Sequence, residues 1–95
     1  MNVTGGDMRH EIEVELVNEQ GLHTRPAKLF VETADKFRSD IEVSFDGISA
    51  NGKSIMGLLG LLAYQGCKLR IRATGEDARE AIEALSELVR SGFQE

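Results

Sequence analysis

In the stretch Gly21-Leu22-His23-Thr24-Arg25-Pro26-Ala27 a histidine stands directly before a run of helix-forming residues, with an arginine two positions on. The first turn of a helix presents backbone N–H groups that have no intrahelical acceptor, and the helix dipole adds partial positive charge there. Such a mouth holds anions. Arg25 adds a planar fork of donors matched to phosphate oxygens. A neutral imidazole is nucleophilic near neutral pH, and its phosphoramidate bond is labile enough to pass the group on. His23 is therefore the first candidate, a phosphoryl acceptor whose load is held by the helix mouth and Arg25; spacing alone also allows a plain loop or capping histidine. The second candidate is Ser54, within Asn51-Gly52-Lys53-Ser54-Ile55-Met56-Gly57. Its hydroxyl suits a helix N-cap.

The elements that must carry these residues follow from periodicity. From Glu11 to Val17, Ile12, Val14 and Leu16 alternate with Glu11, Glu13 and Glu15, which predicts a half-buried strand. Ala27, Phe30, Val31, Ala34 and Phe37 then recur at helical spacing, with Thr24 as the expected cap and Pro26 in the first turn. Ile41, Val43 and Phe45 predict a second strand, and Asp46-Gly47 a tight hairpin into a third, Ile48 to Ala50. Ser54 is expected to cap a second helix from about Ile55 to Leu62. That helix is apolar nearly all round, so some of Ile55, Met56 and Leu59 should reach the surface as a partner-binding patch. Leu69, Ile71 and Ala73 alternate with Lys68, Arg70 and Arg72 in a fourth strand. A last helix opens at Gly75-Glu76-Asp77, buries Ala78, Ala81, Ile82, Leu85, Leu88 and Val89, and stops at Gly92.

The order β-α-β-β-α-β-α predicts an α+β open-faced sandwich, a four-stranded antiparallel sheet with three helices on one face. The outward Glu11, Glu13 and Glu15 require opposite charges beside them, which Arg70 and Arg72 supply. Strand four is accordingly placed next to strand one, with the first helix crossing over to strand two beyond it.

The 95 residues predict one domain over residues 8–95, behind a flexible lead over residues 1–7 in which Met8 is an alternative start to Met1. A net charge of −5 argues against sequence-independent binding to nucleic acid or anionic membrane. The charge is uneven, however. Residues 20–72 hold eight Lys and Arg against five Asp and Glu, so His23, Arg25, Lys28, Lys53 and Ser54 share a cationic middle. Arg70 and Arg72 lack the aromatic companions of an RNA-binding sheet. Cys67, the single cysteine, can form neither an internal disulfide nor a zinc site alone, and is expected to be a small semi-buried hydrophobe in a reducing cytoplasm. His10 has no second ligand candidate nearby and is expected to be exposed and inert. The longest apolar stretch is too short to span a bilayer, and the N-terminus has no export signal. No metal, cofactor or membrane insertion is called for, and a monomer is expected.

The segment Gly21 to Ala27 resembles the active-site motif of the histidine phosphocarrier (HPr) family of the bacterial phosphoenolpyruvate-dependent phosphotransferase system. Asn51 to Gly57 resembles that family's second motif, around a regulatory serine, and the element order resembles its open-faced sandwich. The resemblance implies that His23 accepts phosphate on Nδ1 from phosphorylated enzyme I and gives it to enzyme II A components. Arg25 and the backbone amides of Thr24 and Arg25 would contact the phosphoryl group. It further implies that Ser54 is a substrate of an ATP-dependent HPr kinase/phosphorylase, and that Lys28, Lys53, Ile55, Met56 and Leu59 meet partners. Three features depart from many members: Leu59 stands for methionine, Gly60 for serine, and the first helix carries Glu32 and Asp35. Ala27-Lys28-Leu29-Phe30 and Ser91-Gly92-Phe93 resemble the nitrogen-regulatory branch, whereas the surroundings of Ser54 resemble carbon-side carriers. The alternative function is a regulatory paralogue acting by protein binding rather than sugar transport.

Overall fold

The computed structural model describes residues 8–94. The predicted lead over residues 1–7 lies outside the described residues.

Strand β1 (Arg9–Glu15) is followed by α1 (Thr24–Ala34), the hairpin β2 (Asp40–Phe45) and β3 (Ile48–Asn51), α2 (Ile55–Gly60), β4 (Lys68–Thr74) and α3 (Ala78–Arg90). The strands form one antiparallel sheet in the order β1-β4-β2-β3, with three helices, as the sequence predicts. Register explains the charge pattern. Glu11 lies opposite Arg72 and Glu13 opposite Arg70, and Arg70 reaches Glu11 at 2.8 Å while Arg72 reaches Glu11 at 3.1 Å and Glu42 at 3.3 Å. Hydrogen bonds from Arg72 and then Arg70 hold the Glu11 carboxyl below its ordinary pKa. The pairs are exposed, so their contribution is orientation of the edge strand more than stability.

Inward side chains of the sheet, among them Val14, Ile41, Val43, Leu69 and Ile71, meet Phe30 and Ala34 of α1, Leu58 of α2 and Ala81, Leu85 and Val89 of α3. Phe93 closes the end of this core, fully buried at φ 59. It follows a glycine stop at Gly92, where Gly92 N donates to Val89 O and Phe93 N to Leu88 O at 2.9 Å, so the last carbonyls of α3 are satisfied.

Element boundaries differ from expectation in ways with local causes. β1 ends at Glu15 rather than Val17, although Leu16 N still donates to Cys67 O, because the chain bends into the Asn18–Gly21 turn. The cap of α1 is His23, not Thr24: His23 has extended backbone (φ −83, ψ −175) and its carbonyl already accepts from Ala27 N. α1 stops at Ala34, three residues before Phe37, where the chain tightens through Phe37 N donating to Ala34 O. α2 ends at Gly60 instead of Leu62. Leu61 and Leu62 N–H groups reach back three residues, and Leu62 turns left-handed at φ 56. His10 is half-buried at the start of β1 rather than exposed.

Candidate functional site

The loop from β1 into α1 is tied down in the two residues just before His23. Asn18 Nδ2 donates to Gly21 O at 2.8 Å, and Leu22 N donates to Ala63 O at 3.1 Å. Gly21 sits at φ 67 with its α-carbon pressed on the neighbouring backbone: a Cβ there would lie 2.6 Å from Tyr64 Cα and 2.7 Å from Ala63 O. Only glycine meets both demands, the left-handed turn and the close approach. Leu22 is buried beneath the loop, and His23 emerges exposed at the mouth of α1.

At that mouth no side chain of the cap residue closes the helix. Thr24 and Arg25, both exposed, occupy the first two helical positions, and the buried Pro26 the third. The first amide to bond back along the helix belongs to Ala27. An oxyanion brought to His23 therefore meets the positive end of a helix, with Arg25 one residue beyond Thr24.

His23 also edges an open cleft of about 340 Å³ lined by Gln20, Leu22, Thr24, Leu59, Leu62, Ala63 and Tyr64. Of the predicted apolar patch, the structure brings Leu59 into this cleft. Met56 stands 81% exposed, and Ile55 is half-buried against the core. The sequence reading did not single out Leu62, 80% exposed, or Tyr64, whose ring meets Phe45 edge-on at 6.2 Å. Both widen the apolar surface beside His23.

The two lysines differ. Lys28 is exposed on α1, whereas the Lys53 ammonium donates to Phe37 O at 2.8 Å and so ties the start of α2 to the segment after α1. Ser54 caps α2 as predicted, its Oγ accepting from Gly57 N at 3.0 Å. Cys67 is buried, and its sulfur accepts from Tyr64 N at 3.4 Å. Among the described residues no cluster of His, Cys, Asp and Glu is arranged to hold a metal ion, and no helix is long and apolar enough to cross a membrane.

Comparison with known proteins places these features in a family. A family model described as the PTS HPr component phosphorylation site matches residues 10–91. The phosphocarrier protein HPr of Xylella fastidiosa (strain Temecula1) is 44% identical over 85 residues, covering 90% of this chain and 96% of that protein. The crystal structure of an HPr from Thermoanaerobacter tengcongensis superposes with a TM-score of 0.88 at 48% identity, covering 90% of this chain and 97% of that one. A dimeric HPr structure from the same organism gives 0.74, also at 48% identity, over 90% and 99% of the two chains. A relative this similar thus occurs as a dimer, which leaves the expected monomer without support. The chain belongs to the HPr family of phosphocarrier proteins of the phosphotransferase system.

Proposed function

We propose that His23 carries a phosphoryl group between proteins, taking it from phosphorylated enzyme I and giving it to enzyme II A components. The observation that carries this reading is an exposed imidazole at a helix mouth that its own side chain does not cap, with Thr24 and Arg25 in the first turn behind it. In the transfer, the lone pair of His23 Nδ1 forms the new bond to phosphorus as the donor's bond to phosphorus breaks. The amides of Thr24 and Arg25 and the Arg25 guanidinium hold the phosphoryl oxygens, stabilising negative charge at that end of α1. The onward step reverses these roles, with an acceptor nucleophile attacking the same phosphorus. The apolar cleft and Met56 give a partner protein a surface to hold while the two nucleophiles exchange the group.

Ser54 is the regulatory site in this proposal. A phosphate on its Oγ stays at an N-cap, where the helix dipole favours it, so α2 need not unwind. What changes is the field around Met56 and Leu59, where roughly −2 charge would oppose an acidic partner. Incubation with HPr kinase/phosphorylase and ATP is expected to add one phosphate to the wild type and none to Ser54→Ala; a wild type that gains none overturns this regulation.

The carrier function is tested with phosphoenolpyruvate and enzyme I. The wild type is expected to gain the mass of one phosphoryl group, and His23→Ala none, with the unfolding midpoint of the variant close to that of the wild type. Full acceptance by His23→Ala contradicts the assignment.

A further inference from the structure

Asn18 is 6% exposed, yet only half of its side-chain amide is satisfied. Its Nδ2 donates to Gly21 O at 2.8 Å, and its Oδ1 is buried with no partner. The orientation is fixed by chemistry, because Gly21 offers a carbonyl and only the NH₂ half of the amide can donate to it. The bare Oδ1 is the consequence of that choice. A buried acceptor without a donor is a cost that an apolar residue of similar size would avoid. The one bond Asn18 makes falls on the glycine two residues before His23. It closes a ring with the backbone, since Gly21 N donates to Asn18 O at 3.1 Å in return.

We infer that Asn18 is a positioning residue for phosphoryl transfer: its amide locks the Asn18–Gly21 turn so that His23 is delivered to the helix mouth in one orientation. This rests on the carrier function proposed for His23. The turn has two anchors on its far side, Leu22 N to Ala63 O and the close seat of Gly21 on Tyr64. Asn18 supplies the near one. Without it, Gly21 O loses its side-chain donor, and the turn keeps only the backbone bond from Gly21 N to Asn18 O on that side. The imidazole then samples positions away from the Thr24 and Arg25 amides, and misplacement on the order of 1 Å is enough to slow a positioned reaction by up to about 10²-fold. The effect falls on the rate of transfer, not on partner affinity, because Asn18 is buried away from the cleft surface.

The test uses the full chain. In the wild type, one Asn18 Nδ2 proton should exchange slowly with solvent in NMR, as a buried donor does; free exchange overturns the latch. Asn18→Asp keeps the shape and removes the donor, and Asn18→Ala removes the amide altogether. Each is assayed with phosphoenolpyruvate and enzyme I at a temperature where its spectrum shows a native fold. The expected result is a kcat for phosphoryl acceptance lower by about tenfold with KM for the carrier unchanged. Should Asn18→Asp fail to fold, because it buries a second unpaired acceptor against Gly21 O, Asn18→Ala carries the kinetic arm. Rates per folded molecule within about twofold of the wild type contradict the inference and leave Asn18 a residue of the fold alone. A wild type that takes no phosphoryl group fails the carrier function itself, a different outcome from a wild type that takes it as fast as its Asn18 variants.

Discussion

The mouths of α1 and α2 are built from the same parts and finished differently. At α2, Ser54 has extended backbone and its Oγ accepts from Gly57 N, so the cap residue satisfies a donor of the first turn. At α1, His23 has equally extended backbone and its side chain makes no cap bond. A serine, threonine, asparagine or aspartate at that position would stabilise the helix by about 1 kcal/mol. The histidine forgoes this, and the mouth stays available to an incoming anion. The difference shows how one local motif serves two ends: α2 is closed for stability and opened to charge only by modification, whereas α1 is left open by its sequence. Natural proteins give up small amounts of stability at working sites in this way.

Several changes would break or sharpen this contrast. The largest effect is expected from Gly21→Ala, which puts a Cβ against the Tyr64 and Ala63 backbone at a positive φ. It should cost about 2–3 kcal/mol in denaturant unfolding and disturb the delivery of His23, while the α2 mouth is untouched. Next come the caps themselves. Ser54→Ala should lose about 1 kcal/mol, His23→Ala should change stability little, and His23→Asn should gain up to about 1 kcal/mol while losing phosphoryl acceptance. Equal losses at Ser54→Ala and His23→Ala would erase the distinction.

The third helix gives the smallest effect. Asp77 precedes α3 but turns its carboxylate away, accepting from Arg38 N at 2.8 Å, Ser39 N at 3.0 Å and the Ser39 hydroxyl. Those bonds, that of Ser39 Oγ first, lower its pKa below the ordinary aspartate value. A carboxyl with a lowered folded-state pKa contributes stability above its unfolded value, and loses it as pH falls through the folded one. Stability should therefore decline on acidification below the ordinary carboxylate range, and Asp77→Asn should flatten that part of the profile in pH-dependent unfolding. An unchanged acid limb in Asp77→Asn would remove Asp77 as a contributor.

Much of this was legible in the residues. Strand order could be derived because Glu11, Glu13, Arg70 and Arg72 leave few ways to pair a sheet without placing like charges together. The two helix mouths could be located because His23 and Ser54 precede clear changes of period. Propensity favours Thr24 over His23 as the cap of α1, yet His23 is the residue with extended backbone, next to a Leu22–Ala63 bond between segments far apart in sequence. Leu62 and Tyr64 were missed for a related reason. A leucine at φ 56 carries no sequence signal, and its exposure depends on where α2 happens to end. The Lys53–Phe37 and Asp77–Ser39 bonds likewise join segments far apart in sequence, and only the packed helices bring them together.

The open mouth of α1 is tested most directly on the loaded protein. After phosphorylation by phosphoenolpyruvate and enzyme I, NMR of ¹⁵N-labelled protein should place the phosphorus on Nδ1 of His23. The amide protons of Thr24 and Arg25 should move downfield as they bond the phosphoryl oxygens, while that of Gly57, held by Ser54, stays where it was. Phosphorus on another residue, or unmoved amides at Thr24 and Arg25, would contradict the account.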